Sequence, residues 1–211
     1  MNQPKFVVRA SLAFCLILLS SLVLVAQSDD GRAAMQVKPS YDIVLHLVVG
    51  SNDGGASARD ELPAVLANIS KQLKANFAFS NYRMANTFLA RVSNNGSFEY
   101  KSVGDVFGKD AGGAQPSFLE WAIGRLEVMP TGKGQSGFQA QSFRFGVRVP
   151  VQTTSIQSES GKGSSVYNYE GIGLNIREVG FAENRPTLIG TLNLPGANGT
   201  IFLIMTVRAA D

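Results

Sequence analysis

The only histidine, His46, is the first residue to consider for catalysis or metal binding. It lies between Leu45 and Leu47 in an apolar stretch, and the only cysteine, Cys15, lies near the N-terminus. Zinc and copper sites need several imidazole or thiolate ligands, and nucleophilic catalysis needs a base beside the nucleophile. We therefore interpret His46 as a structural residue and predict no catalytic residue, no metal site, no haem and no other cofactor.

Glycine-containing loops raise two further possibilities, phosphate binding and calcium binding. A phosphate-binding loop needs a glycine five positions before its Gly-Lys pair and a hydroxyl residue directly after the lysine. Three Gly-Lys pairs lack this spacing: Gly108-Lys109, Gly132-Lys133 and Gly161-Lys162. The segments Asn52-Asp53-Gly54 and Asp29-Asp30-Gly31 carry too few oxygen ligands for a calcium-binding loop. We interpret all of these segments as ordinary turns.

Two carboxylates and a group of aromatic residues leave two other functions open. Glu120 and Glu127 lie on one expected strand, and a glycosidase can work with two carboxylates alone. Aromatic side chains at strand spacing can line a ligand cavity, although they are also typical of a packed core. The aromatic residues in question are Trp121, Phe118, Phe143, Phe145, Tyr167 and Tyr169. A carboxylate-only hydrolase and a binding module for a small apolar or sugar ligand therefore remain as alternatives.

The N-terminal segment has the pattern of a secretory leader. Lys5 and Arg9 precede an uncharged apolar run over residues 10–26, and Ala26 and Ser28 then supply small residues at the spacing of a cleavage site. We predict a signal peptide over residues 1–28, with a retained membrane anchor as the alternative because the run approaches the length needed to span a bilayer. Cys15 lies within the run, which does not suit lipidation. Either form predicts a periplasmic or secreted protein that contacts a membrane only through this segment.

Charge and cysteine content restrict the partners of the exported part. Two of the 19 Lys and Arg residues and none of the 16 Asp and Glu residues lie in the leader, so its removal lowers the net charge from +3 to +1. Nucleic-acid binding requires clustered cations that neutralise phosphates, whereas the cations here are scattered among acids, and we expect no such partner. Without cysteine the exported part forms no disulfide, and a chain of this length buries a sufficient core without one.

The first elements of the exported part are a strand and a helix. After a flexible lead-in over residues 29–40, the segment 41–49 is apolar on both faces, which is typical of a strand covered on both sides. Apolar residues at helical spacing predict an amphipathic helix over residues 62–77, with Asp60 as its N-cap, Pro63 in its first turn and Val65 on its apolar face. This segment is the only convincing helix that the sequence offers.

Strands and turns follow after residue 80. The Asn-Gly step of Ser93-Asn94-Asn95-Gly96 predicts a hairpin between strands 82–92 and 97–103. Residues 118–129 predict a longer strand with a bulge at Gly124, because the apolar alternation changes phase there. Residues 138–151 alternate regularly, with Arg144 and Arg148 on the solvent face. We expect the Gly-rich and Ser-rich segments 131–137 and 153–165 to be exposed linkers.

The C-terminal third predicts a meander of strands 166–179, 186–194 and 200–208. The last strand is apolar on both faces, which indicates a central position in its sheet. The count of about eight strands and one helix predicts one α+β, mostly β domain over residues 41–211. Its expected architecture is an antiparallel β-sandwich or partly open barrel with the amphipathic helix packed on one face.

The segment from Gly173-Leu174-Asn175-Ile176-Arg177 to Pro186-Thr187-Leu188-Ile189-Gly190-Thr191-Leu192 resembles the β-hairpin of the bacterial secretin family. The whole chain also resembles uncharacterised exported bacterial proteins with an N-terminal strand and helix before a β-rich body. These resemblances imply an accessory role at the bacterial envelope, for example in a secretion system, with an envelope protein as partner. Together with the absence of a catalytic motif, they make an exported, non-catalytic structural or interaction protein the leading hypothesis, with the oligomeric state undetermined.

Overall fold

Eight β-strands and one short helix make up the part of the chain that the computed structural model describes, residues 38–52, 62–104, 116–131, 135–157, 163–193 and 199–210. The predicted leader, residues 1–28, lies outside these ranges. The strands are β1 (Ser40–Ser51), β2 (Asn81–Ser93), β3 (Phe98–Gly104), β4 (Ser117–Thr131), β5 (Gln135–Gln157), β6 (Gly163–Ala182), β7 (Thr187–Asn193) and β8 (Gly199–Ala209). They form two antiparallel four-stranded sheets, sheet A in the order β2-β1-β8-β7 and sheet B in the order β3-β4-β5-β6.

The main hydrophobic core lies between the two sheets. β1 and β8 contribute alternate side chains from sheet A, such as Leu45 and Leu203, and β4 and β5 contribute Trp121, Phe143 and Phe145 from sheet B. All five side chains are almost completely buried. Each sheet keeps two unpaired edge strands, so the fold is an open β-sandwich rather than a closed barrel. The predicted fold class, including the number of strands, is confirmed.

A second, smaller core joins the helix to the outer face of sheet A. A 3₁₀ turn (Ala64–Leu66) leads into α1 (Ala67–Asn76), and Ile69 and Leu73 of α1 pack against Phe202 of β8. The prediction of one amphipathic helix on one face of the sheets is confirmed. Among the described residues, no helix is long and apolar enough to cross a membrane.

The start of the helix differs from the prediction. The regular helix begins five residues later than expected, and Val65 is 64% exposed rather than part of the apolar face. A 3₁₀ turn has about three residues per turn, so residues before Ala67 do not follow the 3.6-residue spacing that placed Val65 inward. The expected N-cap, Asp60, lies outside the described residues.

The turn after β2 is a corner between the two sheets, so the predicted hairpin of β2 and β3 is wrong. β2 belongs to sheet A and β3 to sheet B. Asn95 has the expected positive φ, 62°, but its N–H donates to the carbonyl of Leu126, whose own N–H donates to the carbonyl of Gly96. These two bonds fix the turn on β4, and the chain therefore changes sheets instead of folding back on itself.

The predicted C-terminal meander is correct only in its second half. β7 and β8 form an antiparallel hairpin, and β8 lies between β1 and β7, as its apolar character predicted. β6 and β7, by contrast, belong to different sheets. The segment 173–192, for which the sequence suggested a hairpin, therefore crosses from sheet B to sheet A, and apolar residues of both its strands, such as Leu174 and Ile189, pack against the main core.

Two of the expected linkers are partly strand. β4 and β5 pair as far as Thr131 and Gln135, and β5 and β6 pair as far as Gln157 and Gly163. The prediction of exposed linkers over 131–137 and 153–165 is therefore wrong for most of these residues. Polar Ser, Thr and Gln side chains do not prevent strand pairing when the backbone continues a ladder that the apolar part of each hairpin has already set.

The phase change at Gly124 is confirmed, and it is shared by three strands. Buried positions on β4 switch from odd to even numbers between Ile123 and Leu126, where Arg125 has a φ of 32°. β5 and β6 switch at the same level, the latter at Glu178 with a φ of 55°. The two ladders β4–β5 and β5–β6 stay in register across this level, so the faces of the three strands change together, and the predicted bulge, which would be an extra residue on one strand alone, is wrong.

Candidate functional site

The outer face of sheet B contains a groove of about 600 Å³. Trp121 and Phe145 point into the sandwich core, and residues that alternate with them therefore point outward. The outward residues that line the groove form two rows across the strands: Lys101, Glu120 and Gly146 in the first, and Val103, Phe118, Arg148 and Gly171 in the second. A groove of this size is within the range of small-molecule sites.

Glycines keep the floor of the groove low. A Cβ atom at Gly171 would have no atom within 4 Å, whereas a Cβ at Gly146 would lie 3.4 Å from Cγ of Glu120. Gly173 continues the first row on β6, and a Cβ there would lie only 2.5 Å from the carbonyl oxygen of Phe145. Gly173 is therefore required by the close approach of two strands, while Gly171 leaves open space above the sheet.

One wall of the groove is aromatic. Phe118 remains 42% exposed although it packs edge-on against Tyr169, with ring centroids 5.3 Å apart. The hydroxyl of Tyr169 donates to the carbonyl oxygen of Pro116 at 3.1 Å, which fixes the Tyr169 ring. The exposed aromatic face is thus held by neighbouring groups instead of depending on a flexible side chain.

The charged side chains of this face fall into a paired and an unpaired set. Glu99 lies 3.1 Å from the ammonium group of Lys101 and 3.4 Å from the guanidinium of Arg144. Glu120 and Arg148, in contrast, form no ion pair with any described residue, although they are diagonal neighbours on β4 and β5. Diagonal neighbours lie within reach of long side chains, so an acceptor and a donor stand side by side in the groove.

These groups can bind a ligand through stacking and hydrogen bonds. Phe118 offers an apolar ring face, Glu120 accepts hydrogen bonds, and Arg148 donates them from a planar group. The two charges are opposite, so the groove favours a neutral polar ligand with an apolar face over a strongly charged one. The geometry places no nucleophile beside a base among the residues that line it.

The structure divides the aromatic residues that the sequence grouped together. Trp121 packs in the core with its ring centroid 4.9 Å from that of Phe98, and Phe143 and Phe145 are buried in the same core. For these three residues the packed-core interpretation is therefore the correct one, and they do not line a cavity together with Phe118, Tyr167 and Tyr169. Only Phe118 belongs to the groove lining, with Tyr169 behind it.

The two carboxylates of the hydrolase hypothesis lie far apart. Glu120 and Glu127 both point outward on β4, but seven residues of strand, roughly 20 Å, separate them. Glycosidases hold their two carboxylates about 5–10 Å apart. Glu127 is moreover engaged in an ion pair with Arg125, so these two residues do not form one cleft.

His46 lies on the outer face of sheet A, away from the groove. Its Nδ1 is 3.0 Å from Oγ1 of Thr87 on β2, and burial lowers the pKa of its imidazole. Within the described ranges, no group of three or more His, Cys, Asp and Glu residues could hold a metal ion. The three Gly-Lys pairs and the Asp residues of the two acidic turns lie outside the described residues.

Sequence reasoning did not identify Lys101, Gly146, Arg148 and Gly171 as members of one site. A signal was present, because Arg144, Gly146 and Arg148 alternate with buried residues on a strand, and outward glycines in a strand mark a close approach or an open floor. The pairing of these β5 residues with the glycines of β6 could not be predicted from the sequence, since the register of β5 and β6 depends on tertiary packing. No protein-family model matches the chain, and the search of curated proteins returned no match either.

Proposed function

We propose that this chain is an exported, non-catalytic interaction protein of the bacterial envelope, and that it binds a sugar chain in the groove of sheet B. The observation that carries the proposal is the exposed ring of Phe118 beside the unpaired Glu120 and Arg148, above a floor of glycine. The secretory pattern of residues 1–28 supports the location.

Sugar chemistry fits this combination of groups. A pyranose ring has one face of C–H bonds, which packs on an exposed aromatic ring, and an edge of hydroxyl groups that both donate and accept hydrogen bonds. Phe118 matches the first feature, and the carboxylate of Glu120 and the guanidinium of Arg148 match the second. The groove is open along the sheet, which suits a segment of a polymer better than an enclosed small molecule.

An ion pair between Glu120 and Arg148 would weaken this interpretation, but the two groups are not paired. Each therefore keeps its hydrogen-bonding capacity for a ligand. An exposed ion pair of this kind is worth little when it forms, so its absence carries little energetic cost to the fold. Glu120 instead lies across Gly146, where its carboxylate is close to the groove floor.

Isothermal titration calorimetry with chitotetraose and maltotetraose tests the proposal. We expect at least one of these oligosaccharides to bind, and Phe118→Ala to weaken the binding roughly fivefold or more, since one aromatic stacking contact is worth about 1 kcal/mol or more. Glu120→Gln and Arg148→Ala are expected to weaken binding by smaller factors. Leu89→Ala is the matched control, because Leu89 is an exposed apolar residue of sheet A, 67% exposed.

Two results would contradict the proposal. Absence of binding to both oligosaccharides and to isolated bacterial cell-wall sacculi would remove sugar as the ligand class. Binding that Phe118→Ala leaves unchanged would move the site away from the groove. N-terminal sequencing of the protein recovered after expression with its own leader tests the export part separately, since an intact Met1 on cytosolic protein contradicts it.

A further inference from the structure

The free edge of β6 is the longest unpaired strand edge that the structure describes. β6 runs over Gly163–Ala182 and pairs only with β5 among the described strands. An unpaired edge presents a row of backbone N–H and C=O groups that can pair with another strand. Such an edge in a soluble protein is therefore either protected or used.

β6 is only lightly protected: over its 20 residues it carries the charged residues Glu170, Arg177 and Glu178, and its one non-glycine residue with positive φ is Glu178, near its C-terminal end. Its sequence contains neither lysine nor proline, two residues that commonly prevent strand addition. The other three edges are shorter or interrupted. β3 has seven residues with the charged Glu99 and Lys101 on it, β7 has seven residues and an irregularity at Ile189, and β2 has an irregularity at Ala85.

The inward side chains of β6 are only partly covered. Ile172, Leu174 and Ile176 pack against the main core but remain half-buried at its margin. Strand positions two residues apart point to the same face, so these three form a short apolar row beside the free edge. A strand added at this edge would complete their burial if it placed apolar residues opposite them.

We propose that β6 pairs with β6 of a second copy of this chain, antiparallel and centred on Leu174, which joins the two B sheets into one of eight strands. In this register Ile172 of each copy lies opposite Ile176 of the other, and the two Leu174 residues face each other. The apolar row of one copy therefore packs against the same row of the other copy. A register centred on Glu170 would bring the two Glu170 carboxylates together on one face, which is unfavourable, whereas in the proposed register Glu170 lies opposite Glu178, the residue with positive φ at which the faces of β6 change.

The outward face of β6 is complementary in the same register. Arg177 of the second copy lies opposite Gly171, where a Cβ would meet no atom within 4 Å, so the long side chain has space above the glycine. Asn175 of the second copy lies opposite Gly173 in the same way. Each copy therefore supplies a donor beside the glycine floor of the other's groove, because both rows of the groove end at β6.

Pairing in this way places the two grooves end to end across the new sheet. A polymer long enough to reach both would then bind with avidity, since the second contact is intramolecular. This consequence rests on the sugar-binding proposal. The self-association itself does not, and it is measured without any sugar present.

Sedimentation velocity and disulfide trapping test the inference on the chain expressed with its own leader. We expect a dimer, and we expect Asn175→Glu to raise the dissociation constant several-fold, because Asn175 is exposed and the two copies' residues 175 are diagonal neighbours on the outer face in this register, where like charges are unfavourable. For trapping, Leu174→Cys is made together with Cys15→Ser so that it carries the only thiol. Directly opposed strand residues have Cα atoms about 4.5–5.5 Å apart, within the range of a disulfide, so oxidation should yield a covalent dimer.

Leu89→Cys in the same Cys15→Ser background is the control, because Leu89 is exposed on the edge strand β2 of sheet A. Efficient trapping at residue 174 but not at residue 89 supports the inference. A protein that sediments as a monomer overturns it, and so does a dimer that shows no trapping at residue 174 and is unaffected by Asn175→Glu. Equal trapping at both positions indicates random collision and also overturns it.

Discussion

The outer faces of the two sheets differ in whether a second layer covers them. Sheet A is covered by the 3₁₀ turn and α1, from which Leu66, Ile69 and Leu73 bury an apolar patch that includes Val48 and Phe202. Sheet B has no such layer over the residues that the structure describes. Of the eight large hydrophobic residues that are exposed in the described part of the chain, six lie on its strands: Val103, Phe118, Val128, Met129, Val166 and Tyr169.

The difference originates in the sequence of the central strands. β1 and β8 are apolar on both faces, so the outer face of sheet A is stable only when a second layer removes it from water. β4 and β5 carry Glu, Arg and Gly at alternate positions, and sheet B therefore remains stable with one face in solvent. The comparison teaches that the bare face, and not the covered one, is where this fold has surface available for binding.

The test with the largest expected effect substitutes one phenylalanine on each outer face and compares the losses of stability. Phe202→Ala should lower the free energy of unfolding by about 3–5 kcal/mol, because Phe202 is fully buried and packs with Phe77, Phe79 and Tyr82. Phe118→Ala should lower it by less than about 1 kcal/mol, since the Phe118 ring is partly in solvent already. Urea denaturation measures both values. Similar losses for the two variants would show that the faces do not differ.

The sequence predicted the layers of the fold better than the connections between them. The alternation of Phe143, Phe145 and Val147 and the two-sided apolar pattern of β8 identify buried faces directly, because burial of these side chains dominates the free energy of folding. The partner of a strand is a different question. Asn95 has the positive φ that the sequence predicted, yet the turn makes two hydrogen bonds with Leu126, far along the chain, and connects the two sheets.

The candidate site was predictable only in part for the same reason. Arg148 was recognised as facing solvent, and Phe118 was recognised as a possible ligand contact. Their association with Gly171 depends on the register between β5 and β6, which no local pattern specifies. The aromatic residues were grouped by spacing along the chain, and the inward and outward alternation of the strands then separated Trp121 from Phe118.

A second test distinguishes two glycines on the bare face. Gly173→Ala should destabilise the fold by about 1–3 kcal/mol, because the added Cβ would lie 2.5 Å from the backbone oxygen of Phe145. Gly171→Ala should be neutral or stabilising by up to about 1 kcal/mol, since its Cβ would meet open space. Thermal unfolding of the two variants gives the comparison. If Gly171→Ala were as destabilising as Gly173→Ala, the floor of the groove would not be open at that position.

A third test concerns the hydrogen bonds that hold α1 on the outer face of sheet A. The hydroxyl of Tyr82 donates to the carbonyl oxygens of Leu73 and Phe77 at the end of α1, at 2.9 and 3.1 Å. Tyr82→Phe removes these bonds but keeps the ring, and should lower the free energy of unfolding by about 1 kcal/mol. Hydrogen exchange should show the largest increase in the amides at the end of α1. If the increase in exchange were confined to sheet B, Tyr82 would not be the residue that holds the end of α1 on sheet A.

The smallest expected effect lies at the end of sheet A that α1 does not reach, where Asp42 accepts a hydrogen bond of 2.8 Å from Arg91 and lies 3.5 Å from Arg208. The bond from Arg91 lowers the pKa of Asp42 below its ordinary value of 3.8, against the opposing effect of burial, and Arg208 lowers it further. A carboxylate with a lowered pKa stabilises the fold above its unfolded pKa, and this stabilisation is lost as the pH falls through the folded pKa.

Asp42→Asn should therefore lower the free energy of unfolding near neutral pH by less than about 1 kcal/mol, since both arginines are more than half exposed and screened by water. The difference between the variant and the parent chain should shrink below about pH 4, where the parent also loses the charge. Urea denaturation at pH 7 and at acidic pH measures this difference. A difference that grows on acidification would mean that Asp42 is protonated in the folded state. The ion pairs of Asp42 with Arg91 and Arg208 would then not hold at this end of sheet A.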